Sequence, residues 1–168
     1  MNLAEVNAMD RVAFVTALGG IFEHSPWVAE RAFDARPFAG VEALHGAMVA
    51  AMRGAPHAEQ LALIRAHPEL AGRAMVRNEL TADSTKEQAG AGLTQCTPAE
   101  YARLVDLNAR YNAKFGFPFI LAVRGYDRQG VIAEFARRVE RSAEEEFDDA
   151  LAQIARITRF RLDALMQG

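Results

Sequence analysis

Ser142-Ala143-Glu144-Glu145-Glu146-Phe147-Asp148-Asp149-Ala150-Leu151, running on through Ile154, Thr158 and Leu162 to Leu165, decides the fold. Ser142 and Glu145 have the spacing of a capping box, in which a hydroxyl and a carboxylate satisfy the free N–H groups at a helix start. Phe147, Leu151, Ile154, Thr158, Leu162 and Leu165 then recur every three or four residues, the stripe that one helix face turns toward a core.

The same grammar extends upstream. Thr97-Pro98-Ala99-Glu100 repeats the box and predicts a long helix ending near Gly116. Ser84-Thr85-Lys86-Glu87 predicts a short helix running through Gln88 toward Leu93. Asp127 to Arg141 reads as another helix. Phe117-Pro118-Phe119-Ile120-Leu121-Ala122-Val123 is too short for a helix of its own and reads as a buried extended segment. Nearer the N-terminus, Asp10 caps a helix carrying Val12, Phe14, Val15 and Leu18, which Gly19-Gly20 ends. Ser25-Pro26 opens a helix that stops before Pro37, with Trp27 as a core anchor. A further helix spans Val41 to Met52 with Leu44, Met48 and Met52 on one face, and another spans Ala58 to Arg65, opposed at Pro68. The expectation is an all-α, compact single-domain bundle of about eight helices with one short buried extended segment, residues 1–168 forming one domain.

At 168 residues, 51% apolar and 24% charged, the chain has the composition of a globular domain with a real core. Its 19 basic and 22 acidic residues leave a net charge of -3, which gives no electrostatic footing to nucleic acid or an anionic membrane as partner. Cys96 is the single cysteine, so neither a disulfide framework nor a cysteine-based zinc site is available, and a reducing cytoplasm is expected. No stretch approaches the roughly 20 apolar residues of a membrane span, and Met1 to Arg11 lacks the apolar run of a signal peptide.

The general chemical motifs are missing: there is no phosphate-binding glycine loop, no nucleophile elbow, and no histidine pair at helical metal spacing among His24, His45, His57 and His67. A metal built from these histidines needs unrelated coincidences in space and is set aside. His67 stands in Ala66-His67-Pro68-Glu69-Leu70, at a helix end rather than a packed middle. Taken alone it reads as a residue whose ring satisfies a nearby carbonyl. Ser84 and Glu87 are explained by capping, although a helix N-terminus also suits a carboxylate or polarised carbonyl. Phe119 to Val123 is core by default, yet extended backbone beside a pocket offers N–H and C=O groups to a planar amide. Arg161 reads as a solvated or salt-bridged side chain, or as a carboxylate ligand if it points into a pocket.

Four segments carry a resemblance: Phe22-Glu23-His24-Ser25-Pro26-Trp27-Val28-Ala29; Ala66-His67-Pro68-Glu69-Leu70-Ala71; Ser84-Thr85-Lys86-Glu87-Gln88 leading into Ala91-Gly92-Leu93; and Leu107-Asn108 through Tyr111 to Lys114-Phe115-Gly116-Phe117-Pro118-Phe119. In this order they resemble the decarboxylases of 2-oxo-4-hydroxy-4-carboxy-5-ureidoimidazoline (OHCU), the last enzymatic intermediate between urate and (S)-allantoin in purine breakdown. The resemblance covers nearly the whole chain. It implies a helical fold, usually a homodimer, and decarboxylation without a cofactor. It also implies His67 as catalytic acid/base, with Glu87 and Arg161 as further catalytic residues, Arg156 and Arg159 being the alternatives to Arg161. Substrate contacts map onto Pro68, onto Ser84, Thr85, Lys86, Glu87 and Gln88, and onto Phe119, Ile120, Leu121, Ala122 and Val123. Two rival readings are a non-catalytic helical module for a small ligand or partner helix, and a decarboxylase of a related ureido or imidazoline acid.

Overall fold

Asn2 accepts the Glu5 N–H while Glu5 reaches back to the Asn2 N–H, and this box starts α1 (Leu3–Ala8), a helix that the reading from Asp10 onward missed. The computed structural model describes residues 1–72 and 80–167. Nine α-helices occur among the described residues: α1, α2 (Arg11–Leu18), α3 (Trp27–Ala32), α4 (Val41–Arg53), α5 (His57–Ala66), α6 (Ala82–Gly90), α7 (Pro98–Phe115), α8 (Arg128–Arg138) and α9 (Ala143–Gln167). The fold is all-α. None of these helices is long and apolar enough to cross a membrane. Contacts divide the chain into two compact units, one of Met1–Ala66 with Ile154–Gly168, the other of His67–Gln153.

In the first unit, Asp10 caps α2 as its spacing requires, and Leu44, Met48 and Met52 lie on the buried face of α4. Phe14 is fully buried, edge-on to Phe33 with ring centroids 5.4 Å apart. Leu18, Val28, Leu63, Ile64, Ile154 and Leu162 are buried in the same unit. Two expectations at α3 are corrected. The Ser25 hydroxyl donates to the Glu23 carbonyl rather than capping, so the helix starts at Trp27. Trp27 is only half-buried, its ring covered by the Arg31 guanidinium at 4.6 Å, and so it is no core anchor.

His45 of α4 places Nε2 3.2 Å from the Thr158 hydroxyl. Burial holds its imidazole below the ordinary value, against a backbone hydrogen bond at Ala155 that raises it. The unfolded chain takes up that proton near pH ~6.5 and the folded chain only at lower pH. His45 therefore leaves stability intact above that point and removes some of it as pH falls toward the folded value. Urea midpoints should drop between about pH 7 and pH 5.5 more steeply in the wild type than in His45→Gln. Equal slopes would exclude His45 as the cause.

In the second unit, α7 begins at the expected Thr97–Glu100 capping box and ends at Gly116, whose φ of 76° is the left-handed conformation that favours glycine. Burial on α9 follows the expected stripe at Leu151 and continues in the first unit at Ile154, Thr158 and Leu162. Phe147 and Leu165 are half-buried. α8 stops at Arg138, three residues short of its expected end. α6 is the other correction: Thr81 caps it by accepting the Ser84 N–H, so Ser84 lies inside the first turn, 4% exposed, and is not the cap. Tyr111 sits at the centre of this unit, fully buried, with Phe117, Phe119 and Phe135 edge-on at 5.5–6.0 Å.

Candidate active site

Proline opposes helix continuation by clashing with the residue before it, and α5 ends at Ala66 with Pro68 two residues on. His67 is buried, 6% exposed, and Pro68 half-buried. The loop after them is fixed by side-chain amides. Gln88 of α6 accepts the Ala71 N–H at 2.9 Å and donates to the Glu69 carbonyl at 3.2 Å. Asn108 of α7 donates to the Leu70 carbonyl at 2.9 Å, and Asn112 donates to the Glu69 carboxylate at 2.7 Å. Ala71 is held at φ 51°, a conformation rare for a residue with a Cβ. A Cβ on Gly72 would come within 2.7 Å of Glu69 Cβ, so only glycine allows the chain to return this closely. The amides thus hold the segment that follows the imidazole in one strained conformation.

Helical spacing sorts the Ser84 to Gln88 stretch. Ser84 and Gln88 are buried and Glu87 half-buried on one face of α6, whereas Thr85 and Lys86 are exposed. Gln88 spends both ends of its amide on the loop that follows His67. If that positioning is its main task, Gln88→Leu should lower the activity of the site by roughly 10²-fold through misplacement of the loop, with ligand affinity nearly unchanged. Gln88→Glu, which can still accept the Ala71 N–H, should recover part of the rate. A loss confined to affinity would instead make Gln88 a substrate contact.

Phe119 to Val123 is buried throughout, each residue at most 5% exposed. The fully buried Arg138 of α8 holds it: Nη1 donates to the Ile120 carbonyl at 2.6 Å, and the guanidinium lies 4.5 Å from the centre of the Phe119 ring. Glu146 of α9, also fully buried, accepts from Arg138 Nε at 3.0 Å and from the Tyr111 hydroxyl at 2.6 Å. Arg141 and Asp149 complete a cluster of two cations and two anions, paired at 2.8 Å. Burial, with Glu146 adding to it, pushes the Tyr111 phenol far above its ordinary value, so it stays a neutral donor. Burial raises the Asp149 carboxyl, but Gln153, Arg138 and Arg141 outweigh that and hold it below the usual range.

Arg161 lies in the first unit. Its Nη1 donates to Glu23 Oε2 at 2.8 Å and to the Ile21 carbonyl at 3.2 Å, and both members of the pair are buried. Of the alternatives, Arg156 is exposed and Arg159 pairs with Asp163 at 2.9 Å, so Arg161 is the buried arginine of the three. His67, Pro68, Ser84 to Gln88 and Phe119 to Val123 all fall within the second unit. Sequence reasoning gave no role to Asn108 and overlooked Asn112, Arg138 and Gln153. Their signal lies in tertiary burial, because an amide or guanidinium on a helix reads as surface until its partner is known.

Residues 7–163 match the family model described as OHCU decarboxylase. The chain is 42% identical over 162 residues to a 2-oxo-4-hydroxy-4-carboxy-5-ureidoimidazoline decarboxylase of Haloferax volcanii, covering 96% of this chain and 94% of that protein. It is 40% identical over 166 residues to a Mus musculus protein of the same description, covering 99% and 93%. Among solved structures, that of an (S)-allantoin synthase superposes with a TM-score of 0.78 at 29% identity over 99% of this chain, which spans 54% of that longer chain.

Proposed function

We propose, for a chain that belongs to the OHCU decarboxylase family, that His67 is the acid/base of a cofactor-free conversion of OHCU to (S)-allantoin in urate degradation. The protein is a carboxy-lyase. The observation that carries the residue assignment is the buried imidazole followed by a loop fixed by Gln88, Asn108 and Asn112.

The chemistry accounts for how little machinery is required. When the C–CO2 bond breaks, its electron pair forms a C=C bond to the imine carbon while the imine nitrogen takes up a proton, giving an electron-rich enaminol and free CO2. The hydroxyl proton then leaves, and a proton adds to the former imine carbon, on one face, to set the S configuration. No external electron sink is called for, unlike decarboxylations that recruit a cofactor for that purpose. His67 exchanges the proton, and Glu87, half-buried on the inner face of α6, orients either the imidazole or the ureido group. Pro68, Ser84 and the backbone of Phe119 to Val123 bound the substrate, and Thr85 and Lys86 belong to the same contact stretch from the solvent side. The family resemblance assigns Arg161 to a substrate oxyanion; here its guanidinium is paired with Glu23.

The same reading makes residues 1–168 one functional domain, cytoplasmic and homodimeric. The lone Cys96 fits a reducing compartment. Light scattering at micromolar concentration should give twice the mass of the chain, and a monomer would remove the homodimer from the account. For the activity, the protein should release labelled CO2 from carboxylate-labelled OHCU far faster than spontaneous decay does. Binding of OHCU with release at the spontaneous rate would favour a ligand-binding module.

A further inference from the structure

Side chains anchor both peptide groups that flank Leu121: Arg138 donates to the Ile120 carbonyl at 2.6 Å, and Gln153 accepts the Ala122 N–H at 3.0 Å. Among the described residues, no hydrogen bond engages the N–H or the C=O of Leu121, which is 4% exposed. Buried backbone groups are almost always paired, so the Leu121 pair is suited to receive a ligand.

The two anchors also share peptide groups with Leu121. The Ile120 carbonyl and the Leu121 N–H belong to one peptide, and the Leu121 carbonyl and the Ala122 N–H to the next. A cation on the first carbonyl draws electron density from the Leu121 N–H and strengthens it as a donor. An acceptor on the Ala122 N–H enriches the Leu121 carbonyl, and Gln153 is itself primed because its Nε2 donates to Asp149 at 3.2 Å. Aligned hydrogen bonds polarise one another in this way. Glu146 and Arg141 balance both charges on the far side, so the peptides feel oriented dipoles rather than net charge.

We infer that Arg138 and the Asp149–Gln153 pair are positioning residues that turn the two backbone groups of Leu121 into a tuned donor and acceptor for the amide edge of a urea or cyclic ureide. Such an edge presents a C=O beside an N–H, the complement of the Leu121 pair. The inference rests on the decarboxylase reading for the identity of its ligand and goes beyond it in assigning the residues that set the ligand's grip.

Gln153→Met removes the acceptor while filling similar volume on a half-buried position. It should weaken (S)-allantoin binding, measured by calorimetry, by roughly tenfold and raise KM for OHCU in parallel, with kcat changed far less. The carbonyl carbon and amide nitrogen resonances around Leu121 should shift in the ligand-free variant, a signature that general loosening would not confine to this peptide. A second variant, Arg138→Gln with Glu146→Gln, keeps uncharged hydrogen-bonding groups and removes both charges. It should weaken binding in the same assay if folded; if it does not fold, Gln153→Met and the Leu121 resonances decide. Wild-type affinity in Gln153→Met, with unshifted Leu121 resonances, overturns the inference even while wild-type turnover of OHCU upholds the enzyme. A wild type that binds (S)-allantoin through Leu121 without turnover would instead overturn the decarboxylase reading alone.

Discussion

Replacing His67 by asparagine is expected to lower kcat on freshly generated OHCU by about 10²–10⁴-fold while leaving the helical content and the unfolding transition close to those of the wild type. The size follows from what general acid/base catalysis by a positioned side chain contributes. The preserved fold follows from the surroundings. The loop after His67 is tied by Gln88, Asn108 and Asn112 to backbone at residues 69–71 and to the Glu69 carboxylate, none of which uses the imidazole. Asparagine keeps a compact polar group at a buried position but has no titratable nitrogen. Stopped-flow turnover with circular dichroism on the same sample checks both halves. A wild-type rate would remove His67 from the mechanism, and a lost fold would make it a structural residue.

Glu146→Ala is expected to cost about 3–5 kcal/mol of stability, because removing one partner of a buried pair leaves the other charge uncompensated. Arg138 would lose the carboxylate it meets at 2.9–3.0 Å, with neither side chain reached by solvent, and Tyr111 would lose its acceptor. Arg138 also carries the Ile120 carbonyl, so activity should fall along with stability. Glu146→Gln, which retains an acceptor for Tyr111, should lose less. Urea unfolding followed by tryptophan fluorescence and far-ultraviolet circular dichroism measures the difference. A loss under about 1 kcal/mol, the range of exposed pairs, would show that the cluster is relaxed by solvent entry.

Helix caps made most of the fold legible. Thr97–Glu100 and Ser142–Glu145 are local patterns with local consequences, and both caps form where the spacing puts them. The Asn2–Glu5 box was equally local and was passed over beside the stronger Asp10 signal. Ser84 was different in kind: Thr81-x-x-Ser84 and Ser84-x-x-Glu87 compete for one helix start, and only the burial of Ser84 resolves them. The candidate site was legible where it coincides with segments that interrupt or start helices: His67 before a proline, α6, and an apolar run without helical period. Its supports were not. Arg137 and Arg138 are neighbours of the same type in the last turn of α8, yet Arg137 pairs with Glu134 near solvent while Arg138 is wholly buried. That difference is set by which way the helix faces, a property of the packed unit. The same holds for Gln153 and Asn112, which gain meaning only from the backbone they meet.

The most direct test of the account couples urate oxidation and hydroxyisourate hydrolysis to this protein and follows circular dichroism as allantoin forms. The wild type should give rapid appearance of the dextrorotatory S enantiomer, and His67→Asn only slow, optically silent allantoin from spontaneous decay. Formation of racemic allantoin at the uncatalysed rate with the wild type would contradict the account.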